Sequence, residues 1–379
     1  MAMTQCRFGD RQSRFATGYF FHCRYLEMTR AGGQSREAGF ALVLTLLVIV
    51  ALSLVTEAMT RWLSTALDQA LANREEVDAN RQIAEAEAAA LYLVATRPFS
   101  NRGIEVLTDA QVGSAAPALL LQGAPSAENY VRLDDQRYRL DDAVLRFQDM
   151  RGLINLNLGS YDDLFALLGI FGVSSDDRGP LIAKLQDYID EDSLTRLNGA
   201  EAPQYEEAGL EPPANAPLRT PWEARRILDW DKVEGLARED SAWSLLTSTA
   251  PVGGFNVNTA PRAILSLMPL MTPEAVDRVV EWRHEQPIRS GYQFGILTGI
   301  PISDVPPTSF LPFPGEGLIL TLSTKNWPLE RRIAVRKTPQ SPDRPWIIDY
   351  DIELPRAARD DTEPDPDDLP ISELFPSIP

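Results

Sequence analysis

The residues best suited to chemistry lie in one acidic stretch, between positions 187 and 211. Crowded carboxylates repel one another unless a cation lies among them, and hard oxygen ligands of this kind suit calcium. The alternative interpretation is a solvated acidic loop that holds no ion. The eight acids of the stretch are Asp187, Asp190, Glu191, Asp192, Glu201, Glu206, Glu207 and Glu211.

The spacing indicates which of these acids could share an ion. Asp187 and Asp190 are three residues apart and share a face if the preceding helix continues this far, and Asp192 lies just past its end. Gly199 permits a tight return that brings Glu201 back towards them. The stretch is not an EF-hand loop, because no glycine stands at the sixth position after Asp187. We therefore expect Asp190, Asp192 and Glu201 as ligands, with Asp187 as a weaker candidate.

Few residues serve other kinds of chemistry. Both cysteines lie in the first 25 residues, and one histidine, His284, follows residue 40. A disulfide framework, a thiolate nucleophile and a zinc site are therefore excluded for that part. Acid pairs such as Asp190 and Asp192 could serve a hydrolase, but no nucleophile and base accompany them. His284 stands beside Arg283 and Glu285 on a predicted surface helix, so we interpret it as structural or exposed and predict no enzyme.

The charge balance bears on the partners of the chain. With 36 Lys and Arg against 54 Asp and Glu, the net charge is −18. Binding of nucleic acid requires a basic face, so we do not expect a nucleic-acid partner. The 379 residues suggest two or more domains.

An apolar segment from Phe40 to Val55 precedes the acidic stretch. Extension to Thr60 gives the roughly twenty residues that a bilayer span needs. The six arginines before the segment place the N-terminus in the cytoplasm and the remainder across the membrane. A cleaved secretory signal is the alternative, but no A-x-A-like cleavage site follows Val55. We therefore predict a single-pass membrane anchor.

A long helix is predicted to begin in this segment. From Phe40 to Arg97 there is no glycine or proline in 58 residues, and Pro98 ends the run because the residue before a proline disfavours helix. Beyond the membrane, apolar residues recur every four or seven positions, which is typical of a helix laid against a domain. These residues are Trp62, Ala66, Ala70, Val77, Ala84 and Leu91.

The remainder divides by pattern into strands, helices and strands again. Residues 99–127 have little pattern and are interpreted as a variable loop, whereas residues 128–148 alternate and predict an antiparallel meander. Prolines open most of the predicted helices, where a helix tolerates them. The predicted helices are Tyr161–Leu168, Pro180–Asp190, Pro221–Leu228, Pro261–Leu267 and Pro273–Glu285, and the later strands are Leu318–Ser323, Arg331–Lys337 and Trp346–Glu353. The tail from Pro355 is acidic and rich in proline, so we predict that it is disordered.

A weak internal repeat lies in the helical part. The motif Asn155-Leu156-Asn157 recurs 101 residues later as Asn256-Val257-Asn258, and an apolar helix follows each copy. Asparagine after an extended run can cap the next helix, which is a sufficient structural reason for the pattern. Functional contact by the asparagines is the alternative.

The start of the long helix carries a processing motif. Gly39 stands directly before Phe40, at the edge of the apolar run. This resembles a class III prepilin leader, which a prepilin peptidase cuts after the glycine on the cytoplasmic side and then methylates at the new N-terminus. The cut would fall between Gly39 and Phe40, and translation from Met28 would leave a leader of twelve residues.

Leu44 stands where most pilin-like proteins carry a glutamate. That glutamate neutralises the N-terminal ammonium of a neighbouring subunit in an apolar filament core, where an unpaired charge is costly. A subunit with leucine at this position offers no carboxylate to the subunit above it. Leu44 therefore indicates a terminal position in a filament.

Six motifs occur in order along the chain. They are Gly39-Phe40, Leu44, Asp149-x-x-Gly152 with Asn155-Leu156-Asn157, Asp187–Asp192, Gly199-Ala200-Glu201 with Tyr205, and Asn256–Pro261. From Gly39 to about Glu353, the chain resembles the type II secretion minor pseudopilin K, the GspK family. Tyr188 replaces a more usual tryptophan, Ala202 replaces an acidic residue, and the tail is an extension.

The resemblance implies an α+β, pilin-like fold, with one long N-terminal helix on a small antiparallel sheet and a large helical domain inserted between strands. It implies a prepilin leader at residues 1–39, a transmembrane part at 40–60 and a first pilin-fold segment at 61–158. The inserted helical domain would cover residues 159–307 and the last pilin-fold strands residues 308–354. Residues 355–379 form the predicted disordered tail.

The resemblance also implies a function and partners. Proteins of this family lie at the tip of the periplasmic pseudopilus with I-type and J-type minor pseudopilins and other pseudopilins, and they help to initiate its assembly and the export of folded proteins across the outer membrane. We expect a single pass through the bacterial inner membrane, with a cytoplasmic N-terminus and a periplasmic C-terminal domain. Pseudopilins of the K class bind calcium in the acidic region, which favours Ca²⁺ at Asp190, Asp192 and Glu201.

Two alternatives share some of these features. A minor pilin of a type IV pilus would share the leader and the long helix, but the large helical insertion and Leu44 favour the secretion protein. Residues 254–299 resemble a helix-hairpin-helix unit, which in some proteins grips DNA phosphates through backbone N–H groups. Here the hairpin at residues 269–273 has no glycine, and Pro269 and Pro273 remove donors. DNA binding is therefore the weaker alternative.

Overall fold

The computed structural model describes residues 37–106, 130–238, 241–301, 310–325, 327–356, 369–372 and 374–375. The chain forms two compact units, Met1–Asp68 and Gln69–Pro379. The predicted leader as far as residue 36 lies outside the described residues, as does most of the predicted variable loop from residue 107 onward.

The described part of the first unit is helical and belongs to helix α1, Glu37–Thr96. Every side chain from Phe40 to Asp68 is exposed, as expected of a segment with no protein core around it. Within the described ranges, α1 is the one helix that is long and apolar enough to cross a membrane. The helix ends at Thr96, two residues before Pro98, which confirms the predicted stop.

The described strands are β1 (Phe99–Ser100), β2 (Gly103–Glu105), β3 (Tyr130–Val131), β4 (Asp134–Leu140), β5 (Ala143–Asp149), β6 (Ile154–Asn155), β7 (Thr247–Ser248), β8 (Gly317–Thr324), β9 (Leu329–Lys337) and β10 (Trp346–Pro355). Five of them form the main antiparallel sheet in the order β10-β9-β8-β5-β4. The first three form a small separate sheet, and β6 pairs with β7 in parallel.

The described α-helices after α1 are α2 (Tyr161–Ile170), α3 (Ser175–Ile189), α4 (Ala202–Glu207), α5 (Glu234–Ala237), α6 (Trp243–Leu246), α7 (Arg262–Leu265), α8 (Pro273–Glu285) and α9 (Gly291–Thr298). All of them lie in the chain between β5 and β8, although these two strands are direct neighbours in the main sheet. The helices therefore belong to an insertion between adjacent strands. The predicted α+β, pilin-like fold with an inserted helical domain is confirmed.

The last part of α1 packs on the main sheet through small and branched apolar residues. Ile83, Ala86, Ala90 and Leu93 are buried in one core with side chains of the sheet. The steps of three and four between them follow the turn of an α-helix. The two alanines have short side chains, so they permit a close approach of the helix to the sheet. The sheet contributes Leu145, Phe147, Leu318, Leu320, Leu322, Ile333 and Val335 to this core.

The predicted apolar stripe of α1 was wrong in its register. Trp62, Ala66, Ala70, Val77 and Ala84 are all exposed. A stripe that advances mainly in steps of seven drifts around a straight helix, which has 3.6 residues per turn. The buried face follows steps of three and four instead. A further predicted residue of the stripe, Leu91, is partly buried against the core.

A buried carboxylate joins the two ends of the insertion. Asp149, the last residue of β5, is fully buried. Its oxygens accept hydrogen bonds from the backbone N–H groups of Arg151 at 3.2 Å and Gly315 at 2.9 Å. They also accept bonds from the side chains of Asn256 at 2.9 Å and Thr259 at 3.0 Å. Burial raises the pKa of Asp149, and these four donors oppose that rise.

Gly152 allows the chain to approach this joint closely. A Cβ atom at Gly152 would lie 2.6 Å from the carbonyl oxygen of Thr259 and 2.9 Å from the nitrogen of Ala260. No side chain fits at those distances. The spacing Asp149-x-x-Gly152 therefore places one acceptor and one close backbone contact against the same later segment of the chain.

The repeated asparagine pairs do not cap the helices that follow them, so that interpretation was wrong. Ser160 caps α2, and Pro261 precedes α7. The first asparagine of each pair instead closes a local turn. Asn155 Oδ1 accepts the N–H of Asn157 at 2.9 Å, and Asn256 Oδ1 accepts the N–H of Asn258 at 3.1 Å.

The second asparagine of each pair binds the backbone of a distant segment through both its oxygen and its nitrogen. Asn157 donates to the carbonyl of Leu218 at 2.9 Å and accepts from its N–H at 2.9 Å. Asn258 makes the same pair of bonds with Ile288, at 2.9 and 2.8 Å. Each copy thus binds the backbone of a separate irregular segment, at Leu218 or at Ile288, through hydrogen bonds like those that a neighbouring strand would make.

The prediction that residues 355–379 are disordered was wrong for part of the tail. Residues 369–372 lie beside β4, where Ile371 pairs in parallel with Arg139. Further on, Phe375 is only 6% exposed, and its ring centroid lies 5.9 Å from Tyr138 and 6.2 Å from Phe147. An aromatic anchor of this size offsets the conformational entropy that the acidic composition alone could not. Residues 357–368 of the tail lie outside the described residues.

We expect Phe375→Ala to destabilise the protein by about 2–4 kcal/mol, because it removes a buried aromatic ring from the core beneath the sheet. Ile371→Ala is the matched control from the same segment, since Ile371 is 59% exposed and should change the free energy of unfolding little. Chemical denaturation of both variants measures the difference. Equal, small effects of the two substitutions would contradict the packing of the tail.

Candidate metal centre

The end of α3 positions the first acids of the predicted site. The helix runs over Ser175–Ile189, so it begins earlier than the predicted start at Pro180. Asp187 lies in its last turn, and Asp190 is the residue that ends it. The chain then turns away through residues 191–200 and starts α4 at Ala202. The predicted helix and return thus place Asp190 at the end of α3 and Glu201 directly before α4.

Three carboxylates meet at this place. One carboxylate oxygen from each of Asp190, Asp192 and Glu201 lies within 4.8 Å of the other two. Asp192 is exposed, Asp190 is partly buried and Glu201 is 2% exposed. The structure therefore brings together the three acids that the sequence predicts as ligands.

Two oxygen atoms of this trio are buried without a partner. Among the described residues, Asp190 Oδ1 and Glu201 Oε1 are each inaccessible to solvent and accept no hydrogen bond. A buried acceptor without a donor is costly. Burial raises the pKa of Glu201, and the nearby charges of Asp187, Asp190 and Asp192 raise it further. A cation among the three carboxylates would relieve both the missing bonds and the repulsion.

Asp187 lies outside the trio. It is fully buried, and its carboxylate accepts hydrogen bonds from both the backbone and the side chain of Arg196. The backbone N–H of Arg196 donates to Asp187 Oδ2 at 3.1 Å, and Nη1 donates to Oδ1 at 2.8 Å. The weaker of the four predicted ligands is therefore paired with a guanidinium group in this structure.

The return of the chain depends on two consecutive residues. Asn198 has a left-handed conformation with φ 65°, and the N–H of Gly199 donates to the carbonyl of Arg196 at 2.9 Å, which closes the turn. A Cβ atom at Gly199 would overlap Asp187 Oδ2. The predicted tight return is present, but the glycine is required for space beside Asp187 and not for its backbone angle.

Asp192 is fixed by the loop on its other side. Its Oδ1 atom accepts the N–H of Leu194 at 2.7 Å, and its carbonyl accepts a bond from the side chain of Asn215 at 2.6 Å. These bonds hold an otherwise exposed carboxylate beside those of Asp190 and Glu201. Hydrogen bonds to ligating carboxylates are a usual way to position metal ligands.

Arg196 is the residue that sequence reasoning missed. Its Nη1 atom contacts Asp190 Oδ2 as well as Asp187 Oδ1, so one guanidinium links two of the four acids. The sequence does contain a signal for it, because Arg196 stands between the acids at positions 187–192 and those at positions 201–211. A single basic residue there indicates partial neutralisation of the cluster.

The other predicted functional residues lie elsewhere. Gly39 and Phe40 lie near the start of α1, and the side chains of Phe40 and Leu44 are 73% and 52% exposed. His284, predicted to be structural or exposed, is exposed, and its Nδ1 atom lies 2.9 Å from Arg132 Nη1. An arginine can only donate, so this nitrogen is the acceptor in that contact, and desolvation together with the charge of Arg132 lowers the pKa of His284.

Comparison with known proteins gives a similarity among solved structures. No protein-family model matches the chain, and no curated protein matches it. Among solved structures, a chain from the GspK-GspI-GspJ complex of the type 2 secretion system of enterotoxigenic Escherichia coli is similar, with 16% sequence identity and a TM-score of 0.42. The match covers 72% of this chain and 98% of that chain.

Proposed function

We propose that this chain is a minor pseudopilin of the K class in a type II secretion system, located at the tip of the pseudopilus. The observation that carries the proposal is the insertion of every described helix after α1 between β5 and β8, which are adjacent strands of a sheet packed on a long N-terminal helix. That architecture is the one implied by the family resemblance that the ordered motifs carry. Export of folded proteins across the outer membrane would follow from initiation of pseudopilus assembly.

The N-terminal part of α1 fits a filament subunit anchored in the bacterial inner membrane. Its apolar side chains are exposed from Phe40 onward, and the arginines before it favour a cytoplasmic N-terminus. The C-terminal unit would then be periplasmic. Leu44 supports the tip position, because leucine offers no carboxylate to the ammonium group of a subunit above it.

The partners that follow from this proposal are I-type and J-type minor pseudopilins. The full-length chain, extracted in detergent from the membranes of its own organism, should co-purify with both in equal amounts and with only small amounts of the major pseudopilin. Quantitative mass spectrometry of the recovered complex measures these ratios. Recovery with an excess of the major pseudopilin would contradict the tip position, and recovery with type IV pilus subunits would favour the alternative minor pilin.

Processing by prepilin peptidase is part of the proposal. Cleavage after Gly39 would expose Phe40 and remove both cysteines, which lie in the first 25 residues. The intact mass of the membrane-extracted protein should therefore correspond to a chain that begins with methylated Phe40. Gly39→Val should retain the leader, because the peptidase must accommodate a residue without a side chain at the cleavage site. If the Gly39→Val protein had the same mass as the processed, unsubstituted protein, this assignment would be contradicted.

Calcium binding by the inserted domain is the second part of the proposal. Asp190, Asp192 and Glu201 would hold the ion, which would supply charge compensation and fix the loop at residues 191–200. The donor set fits, since all three ligands are hard oxygen donors and two of their oxygens are buried without a hydrogen-bond partner in the described part of the chain. Asp187 is bound to Arg196 and would act only indirectly.

We expect calcium to raise the melting temperature of the detergent-solubilised protein above its value in chelator, because an ion that binds only the folded state stabilises it by about 2.7 kcal/mol at a hundred times its Kd. Asp192→Ala should abolish that rise. Glu207→Ala, an exposed acid of the same stretch, is the matched control and should leave the rise intact. Identical melting curves of the unsubstituted protein in calcium and in chelator would exclude the ion.

A further inference from the structure

We infer that Arg196 is a built-in counter-cation of the acidic cluster, which stands in for part of the metal's charge and thereby weakens calcium binding. The inference rests on the calcium site proposed above. It assigns to Arg196 the control of how strongly the inserted domain depends on the ion. Arg196 is not one of the ligands, and its effect is exerted through Asp187 and Asp190.

The contacts of Arg196 place its charge between the helix end and the loop. Its Nη1 atom donates to Asp187 Oδ1 at 2.8 Å and also contacts Asp190 Oδ2. The side chain itself is 42% exposed, so the guanidinium bridges from solvent to a fully buried carboxylate. Among the described residues, Arg196 is the ion-pair partner of Asp187.

The carboxylate oxygens that have no partner among the described residues indicate that the guanidinium and a metal ion would use different oxygens. Arg196 takes Oδ2 of Asp190, whereas Oδ1 of the same carboxylate is buried and has no partner among the described residues. Glu201, which is 98% removed from solvent, likewise has Oε1 unpartnered, and its carboxylate lies with those of Asp190 and Asp192. The cluster can therefore hold its arginine and an ion at the same time.

Charge accounts for the direction of the effect. The four carboxylates Asp187, Asp190, Asp192 and Glu201 face one guanidinium, so the ion-free cluster keeps an excess negative charge. Arg196 reduces this excess, which allows the domain to fold without an ion. The same positive charge repels an arriving divalent cation. Each cation thus lowers the need for the other, and loss of Arg196 should strengthen the binding of calcium.

The test is a calcium titration of the detergent-solubilised full-length protein and of Arg196→Gln, with intrinsic fluorescence or calorimetry as the readout. We expect the Kd for calcium to fall roughly tenfold in Arg196→Gln, as removal of one nearby positive charge predicts. The melting temperature in chelator should fall, and the rise produced by calcium should be larger than in the unsubstituted protein. Arg196→Lys retains the charge and should bind calcium as the unsubstituted protein does.

Arg219→Gln is the matched control, because Arg219 is 78% exposed and pairs only loosely with Glu223 at 3.6 Å. It should leave both the Kd and the calcium-induced rise unchanged. If Arg196→Gln is unfolded in chelator, addition of calcium should refold it, as seen by far-ultraviolet circular dichroism. A variant that stays unfolded in calcium would show a purely structural role and overturn the inference.

The remaining outcomes separate this inference from the calcium proposal. If the unsubstituted protein binds calcium and Arg196→Gln binds it with equal or lower affinity, the calcium site stands and the role of Arg196 is refuted. If neither protein binds calcium, both proposals fail together.

Discussion

The fold of the second unit depends on the burial of the single carboxylate of Asp149. The chain leaves the main sheet directly after this residue and returns to it at β8, so both ends of the insertion pass the same point. Asp149 accepts bonds from Arg151 at the exit and from Gly315 at the return. Its side-chain donors, Asn256 and Thr259, belong to the second half of the insertion. A charge removed from water must be fully bonded, and this requirement draws the distant segments together.

The insertion itself is held by polar side chains that replace regular secondary structure. Several of its helices are only four residues long, and the two strands in its described part pair over two residues each. Backbone groups in such irregular chain need partners from elsewhere. Asn157 and Asn258 provide them by binding Leu218 and Ile288 through both the donor and the acceptor of the amide. Neither an aspartate, whose ionised carboxylate can only accept, nor an aliphatic side chain could make both bonds.

The acidic cluster differs from Asp149, because its negative charges are concentrated and only partly compensated by positive charge. Asp149 accepts bonds from four donors, whereas Asp190 and Glu201 each keep a buried oxygen that no donor of the described residues reaches. A structural carboxylate and a candidate ligand are therefore distinguished by how completely the protein satisfies them. A cation is the partner that we propose for the trio, and Arg196 neutralises only part of its charge. Under that proposal, the folding of this region and its response to an ion are parts of one electrostatic balance.

The sequence alone determined the features that depend on local pattern. A run without glycine or proline specified α1 and its end before Pro98, alternation specified the strands between residues 128 and 148, and spacing along one chain segment specified the trio Asp190, Asp192 and Glu201. Only the tertiary structure decided the features that depend on distant partners. The buried face of α1 was set by the sheet beneath it, the role of each asparagine by segments 30 and 61 residues away, and the order of the tail by a pocket around Phe375. The guanidinium of Arg196 acquired its role in the same way, because a charge acts through space on groups that the linear sequence separates.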